Sequence, residues 1–132
     1  DAFVWIGAVV MLLGIVVEAT ADKQKSAQKK TDPHMAATKG LFQLCRCPNY
    51  FGEILVWTGS LISGISALQG WQWAIALLGY VCSVAIMVIG AKRLEVRQNR
   101  NYGHLQAYRD YVEKTPILIP FVPIYHLVKE EN

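Results

Sequence analysis

The chain has 132 residues, is 53% hydrophobic and 17% charged, and carries a formal net charge of +3. That length suits one domain. The distribution of charge excludes an ordinary soluble one: residues 2–17 and 54–91 hold no charged side chain, and all 13 Lys and Arg fall within 23–46 and 92–129. Such segregation is the pattern of a membrane protein. The sequence starts at Asp1 inside an apolar run, as expected of a partial or truncated chain, and that run lacks the basic start and small-residue cleavage site of a signal peptide.

Three cysteines, Cys45, Cys47 and Cys82, provide no disulfide framework. Cys45 and Cys47 have neither a second ligand pair nor a neighbouring His to complete a tetrahedral site, so no metal is expected. They read as reduced thiols on the cytosolic side.

In chain order, residues 2–19 read as a transmembrane helix, roughly 27 Å long at the α-helical rise. Trp5 suits an interfacial position, and Gly7 and Gly14, one heptad apart, offer a flat face to another helix. Glu18 and Asp22 stand four residues apart, as do Lys25 and Lys29, which predicts a helical extension into water over 22–30. The lysine pair reads either as a solvated basic collar or as a clamp for one phosphate. Thr31-Asp32-Pro33 breaks the helix.

The densest cluster of unusual residues is 40–53. Pro48 sets a helix start, with Asn49 and Tyr50 in its first turn. Asn49 either caps the helix or offers its amide to a carboxamide ligand. Glu53, four residues on, shares its face. Gly52 permits close approach of backbone or ligand. Residues 54–68 read as a second span whose first turn is borrowed from the motif. In it Gly59 and Ser63, and Ser60 and Gly64, are small pairs suited to close helix packing. Gln69-Gly70, with Trp71 and Trp73, reads as a non-cytosolic turn. Residues 73–91 read as a third span with another small pair, Gly79 and Ser83.

All basic residues then lie on one face, so the loop 20–53 and the tail 92–132 are both expected in the cytosol. A helix within 99–114 would group His104, Tyr108 and Tyr111. Pro116, Pro120 and Pro123 exclude regular structure over 115–125, which is expected as an extended lid on the helix ends or dipping into the interface. The resulting class is all-α: a multi-pass transmembrane helical bundle with a cytosolic cofactor-binding face.

The run Arg46-x-Pro48-Asn49-Tyr50-x-Gly52-Glu53 resembles a motif of the steroid 5α-reductase and sterol-reductase-like membrane family, including its uncharacterised bacterial and protist branch. Upstream, Glu18, Asp22, Lys25, Lys29 and Gly40-Leu41-Phe42 extend the likeness; downstream, Glu95, Tyr102-Gly103, Tyr108, Tyr111 and Ile119-Pro120 do so more loosely. The likeness is to the C-terminal half of such a reductase. It implies an NADPH-binding module serving hydride transfer to a double bond of a steroid-, sterol- or lipid-like substrate. By position it implies Asp22, Lys25 and Lys29 at the ribose and phosphates, and Asn49 and Glu53 near the nicotinamide half, with Arg46 and Tyr50 of the motif also among the cofactor-binding residues. Arg93, Glu95, Tyr102 and Tyr108 would complete the pocket. The family's catalytic acid lies further N-terminal, so none is assigned here. Implied partners are the bilayer and a hydrophobic small molecule, with no nucleic acid; the implied location is the endoplasmic reticulum in a eukaryote or the inner membrane in a bacterium.

Cys47 stands where many relatives have His. The similar Arg-His-Pro-x-Tyr-x-Gly pattern of isoprenylcysteine and phospholipid methyltransferases, which bind S-adenosylmethionine, is therefore an alternative. So is a non-enzymatic membrane protein whose basic face attracts anionic lipid. Asn49 after Pro48 and Glu53 after Gly52 favour the reductase resemblance.

Overall fold

Asp1 caps the first helix, its carboxylate accepting the Phe3 N–H at 2.8 Å. This helix, α1 (Ala2–Thr31), runs 30 residues without a break. The expected span and its watery extension are thus one element, ending at Asp32 before Pro33 as anticipated. In a computed structural model, residues 1–128 are described; the last four residues of the expected tail 92–132 lie outside them. A 3₁₀ turn (Gly40–Gln43) leads to α2 (Pro48–Ser63), α3 (Gln72–Tyr102) and α4 (Gln106–Lys114), with no strand among the described residues.

Three expected boundaries move. The span placed at 54–68 is helical only to Ser63; residues 64–68 form tight turns, with Gly64 N–H bonded to Leu61 and Leu68 N–H to Gly64. The Ser63-Gly64-Ile65-Ser66 run weakens the helix there, because glycine is costly and serine hydroxyls compete for backbone partners. The tail expected from residue 92 begins as helix instead: α3 continues for 31 residues to Tyr102. Residues 92–100 are rich in good helix formers, Lys, Arg, Leu, Glu and Gln, and nothing stops the helix until Gly103. That stop leaves His104 exposed in the turn, so the buried face of α4 is Tyr108, Tyr111 and Val112, without the expected His104.

The antiparallel pair α1–α2 closes on a glycine seam. A Cβ added to Gly14 would lie 2.5 Å from the Gly52 carbonyl oxygen, and one added to Gly59 would lie 2.5 Å from that of Gly7. Backbone therefore meets backbone, as small residues permit in membrane helices. Of the expected small pairs, Gly59 and Ser63 do pack, against Gly7. Gly79 instead faces open space, and Gly64 touches only Leu61 and Leu68 of its own turn. A second face of α2 meets α3: Tyr50 lies over Gly90, Ile54 joins Met87 and Ala91, and Thr58 is 2.7 Å from the Tyr80 hydroxyl. Beyond Thr58 the two helices part around an apolar cleft lined by Trp57, Leu61, Leu68 and Ile75.

Both α1 and α3 are long and apolar enough to cross a membrane. Their outward side chains agree: Trp5, Val9, Leu12, Leu78, Val81 and Ile86 are each more than half exposed. Such a surface suits lipid or further apolar helices rather than water.

Candidate functional site: the polar mouth of the helix seam

The motif folds around Arg46, which is 4% exposed. Its Nη1 donates to Glu95 Oε2 at 2.7 Å and to the Tyr125 carbonyl at 2.9 Å. Its Nη2 donates to the Tyr108 hydroxyl at 3.2 Å, and that hydroxyl donates to Asn99 Oδ1 at 2.8 Å. Glu95, 1% exposed, completes the knot. Its Oε1 accepts the N–H groups of Leu127 (3.0 Å) and Val128 (2.8 Å), and His126 Nδ1 lies 3.2 Å from Oε2. Two buried charges are tolerable only when paired and hydrogen-bonded in this way. The pair thereby holds the proline-rich segment across the helix ends, aided by the Arg46 N–H to the Pro116 carbonyl at 2.8 Å. The segment packs on the helix ends as expected, Ile117 and Leu118 lying beside Cys47, Ile54, Met87 and Ala91, but it folds back through Ile117 N–H to the Ile124 carbonyl instead of running extended.

Lys29 is committed locally. Its ammonium donates to the Met35 carbonyl (2.8 Å), the Pro33 carbonyl (3.2 Å) and the Tyr102 hydroxyl (2.7 Å). An open groove of about 760 Å³ with mixed lining adjoins this point, bordered by His34, Met35, Tyr102 and His104 among others. Two amides that sequence reasoning missed fix the loop. Gln24 Oε1 accepts from Leu41 N–H, and Gln28 Oε1 accepts from both Thr38 and Lys39 N–H. The available signal was their i, i+4 spacing on the polar extension of α1.

Asn49 and Glu53 follow the stripe of α2 that carries Gly52 and Gly59, and so look toward α1. On α1 the glycine stripe continues as Glu18, Asp22 and Lys25. Glu18 lies within electrostatic reach of both Asp22 and Glu53, and Lys25 within reach of Cys47. The seam thus opens at its basic end into a mouth with carboxylates, one lysine and an amide. Asn49 does not cap α2: the N-cap is Cys47, which makes no side-chain cap bond, so the first-turn N–H groups receive none. Tyr50 is spent on packing against α3. Arg93 is exposed and, two residues from Glu95, points away from it. The structure therefore gathers Arg46, Glu95 and Tyr108 in one knot. It joins Lys29 to Tyr102 in a second, aligns Asp22, Lys25, Asn49 and Glu53 at the mouth, and leaves Arg93 outside all three.

Burial pushes the Cys45 and Cys47 thiols up to about 12, so both stay protonated. It also raises the Tyr111 phenol, which donates to the Phe42 carbonyl at 2.7 Å, and the Tyr108 phenol, there opposed by the Arg46 guanidinium. The two phenols are fixed donors rather than proton carriers.

The donor set fits a phosphorylated, amide-bearing ligand. Lys25 and the uncapped start of α2 are suited to phosphate oxygens. Asp22 and Glu53 are suited to hydroxyl donors, and Asn49 both donates and accepts. Arg46 Nε, buried without a partner among the described residues, is a further donor in the motif.

A family profile described as "Protein of unknown function (DUF1295)" matches residues 1–115. Steroid 5-alpha-reductase DET2 of Gossypium hirsutum is 30% identical over 120 residues, 88% of this chain and 41% of that protein. For 3-oxo-5-alpha-steroid 4-dehydrogenase 1 of Bos taurus the identity is 25% over 118 residues, 88% of this chain and 41% of that protein. Protein-S-isoprenylcysteine O-methyltransferase of Dictyostelium discoideum is 33% identical over 81 residues, 53% of this chain and 33% of that protein. The chain therefore spans less than half the length of these curated relatives. No solved structure matches.

Proposed function

The chain belongs to the steroid 5α-reductase-like family described as DUF1295, and on that premise we propose that it is the NADPH-binding part of a multi-pass membrane reductase. The substrate class is a steroid-, sterol- or lipid-like molecule with an activated double bond. The observation that carries the reading is the alignment of Asp22, Lys25, Asn49 and Glu53 at one mouth of the α1–α2 seam, on the basic side of the apolar belt. NADPH, when bound, supplies the hydride. Lys25 and the first-turn N–H groups of α2 bind phosphate oxygens. Asp22 and Glu53 orient ribose hydroxyls, and Asn49 orients the carboxamide. Arg46, through its two Nη atoms, and Glu95 are engaged with protein and act by holding the strap against the helix ends. Lys29 acts by fixing the turn after α1 against Tyr102.

The methyltransferase relative favours a second reading, S-adenosylmethionine in place of NADPH, over the shorter matched segment. The two separate in one titration of the full-length protein in detergent, read by tryptophan fluorescence. Saturable binding of NADPH, lost at least tenfold in both Asn49→Ala and Glu53→Ala, is expected. Binding of S-adenosylmethionine alone would move the protein to the methyltransferases. Silence of Asn49→Ala, with weakened binding to anionic vesicles in Lys25→Ala, would leave a lipid-attracting scaffold.

A further inference from the structure

The segment after Thr115 folds into a small hairpin with two unlike faces. Ile117 N–H donates to the Ile124 carbonyl at 2.9 Å, and Val122 N–H to that of Ile119 at 3.3 Å. Inward, Ile117 and Leu118 are buried against Ile54 and Met87, which belong to the uncharged stretches of α2 and α3. The hairpin therefore sits at the depth where the apolar belt begins, not above it in the cytosol. Outward, Ile119, Phe121 and Ile124 are 40%, 87% and 50% exposed.

Phe121 holds its place with φ 68°, the left-handed region that a bulky L-residue adopts only under constraint. The turn thus accepts strain and presents an aromatic ring outward. Lys114 and Tyr125 border Phe121 in a shallow groove that also includes Leu44. A Lys and a Tyr at the rim of an apolar cluster are the side chains that lie comfortably at a bilayer surface, with stem or ring in hydrocarbon and polar tip in water.

We propose that residues 117–124 form a membrane wedge, with Ile119, Phe121 and Ile124 inserted among the acyl chains of the leaflet on the basic side. The inner face is locked to the helices by Ile117 and Leu118, and the segment beyond it by Glu95. The wedge thus ties the strap over the candidate site to the bilayer itself. The inference rests on the membrane placement of α1 and α3 and is independent of which cofactor binds.

The test places an environment-sensitive NBD fluorophore on Phe121→Cys, in a Cys82→Ser background, with the full-length protein in phosphatidylcholine nanodiscs. Cys45 and Cys47 are buried and remain unlabelled. Val81→Cys, on the outward face of α3, is the lipid reference, and Asp110→Cys, exposed on α4, the water reference. Ile124→Cys repeats the reading at a second outer position if the Phe121 variant does not fold. Expected is a blue-shifted emission quenched by doxyl-labelled lipid to the same extent as at Val81, and at least threefold less by iodide than at Asp110. Iodide quenching equal to that at Asp110 overturns the wedge. Shielding from both quenchers also overturns it, since protein rather than lipid would then cover the face. Absence of lipid quenching at Val81 would remove the membrane placement and the wedge with it, whatever the nucleotide titration gives.

Discussion

Two backbone N–H groups, a guanidinium and the His126 ring converge on the carboxylate of Glu95. Replacing it by alanine strands Arg46 as an unpaired buried charge and frees the strap at once. Glu95→Ala is expected to cost about 3–5 kcal/mol of stability, and Glu95→Gln less, since it keeps shape and one acceptor. Thermal unfolding in detergent, with proteolysis of the tail as the local readout, checks both. The thiols give a pH dependence of known sign. Burial raises Cys45 and Cys47 from 9.0 to about 12. Their contribution to stability is then whole below pH 9 and is lost as pH climbs from about 9 toward 12. A double Cys45→Ala, Cys47→Ala variant should lose less stability than the parent across that alkaline window, measured by unfolding at stepped pH. At this scale the sequence disclosed which residues were unusual but not what they touch. The motif made Arg46 conspicuous, yet its partners lie 49, 62 and 79 positions away. Gln24 and Gln28 belong to no motif that would have singled them out.

Among elements, the glycine seam and the lone glycine of α3 separate packing from propensity. Gly52→Ala drives a methyl to 2.7 Å from the Gly14 carbonyl oxygen, whereas Gly79→Ala meets nothing within 4 Å. The first is expected to cost about 1–3 kcal/mol through overpacking, the second to be neutral within about 1 kcal/mol; melting temperatures of the two variants side by side decide it. The start of α2 and the end of α1 were legible because their chemistry is local: Pro48 and the Thr31-Asp32-Pro33 break act within a turn. Ends without a proline were not. The extension of α3 past Ala91 crosses a change of solvent that hydropathy registers and the backbone ignores. The early stop of α2 depends on weak propensities near Ser63, where an apolar run suggested continuation. The seam was half visible, since Gly7 and Gly14 declare a flat face but not that Gly52 and Gly59 receive it.

For the molecule as a whole, the alternation of apolar and basic stretches made an all-helical architecture legible, and the site only as a set of candidates. Which candidates share a mouth, and which are consumed in holding the fold, depends on helix phase and on contacts between distant segments. The expected sidedness has its own test. Impermeant maleimide applied to sealed vesicles should label Lys39→Cys and Gln69→Cys from opposite sides, each in a Cys82→Ser background; labelling from one side would make α2 a re-entrant helix rather than a crossing one.

The unbroken course of α3 has a mechanical consequence. Tyr80, bonded to Thr58 beside the apolar cleft, and Glu95, which holds the strap, ride on one rod with no hinge between them. They stand about 22 Å apart at the helical rise. A molecule wedged into that cleft that tips the rod by about 3° swings the carboxylate by about 1 Å, enough to stretch a 2.7 Å hydrogen bond past its useful range. The helix is then a lever, its short arm in the lipid and its long arm at the latch.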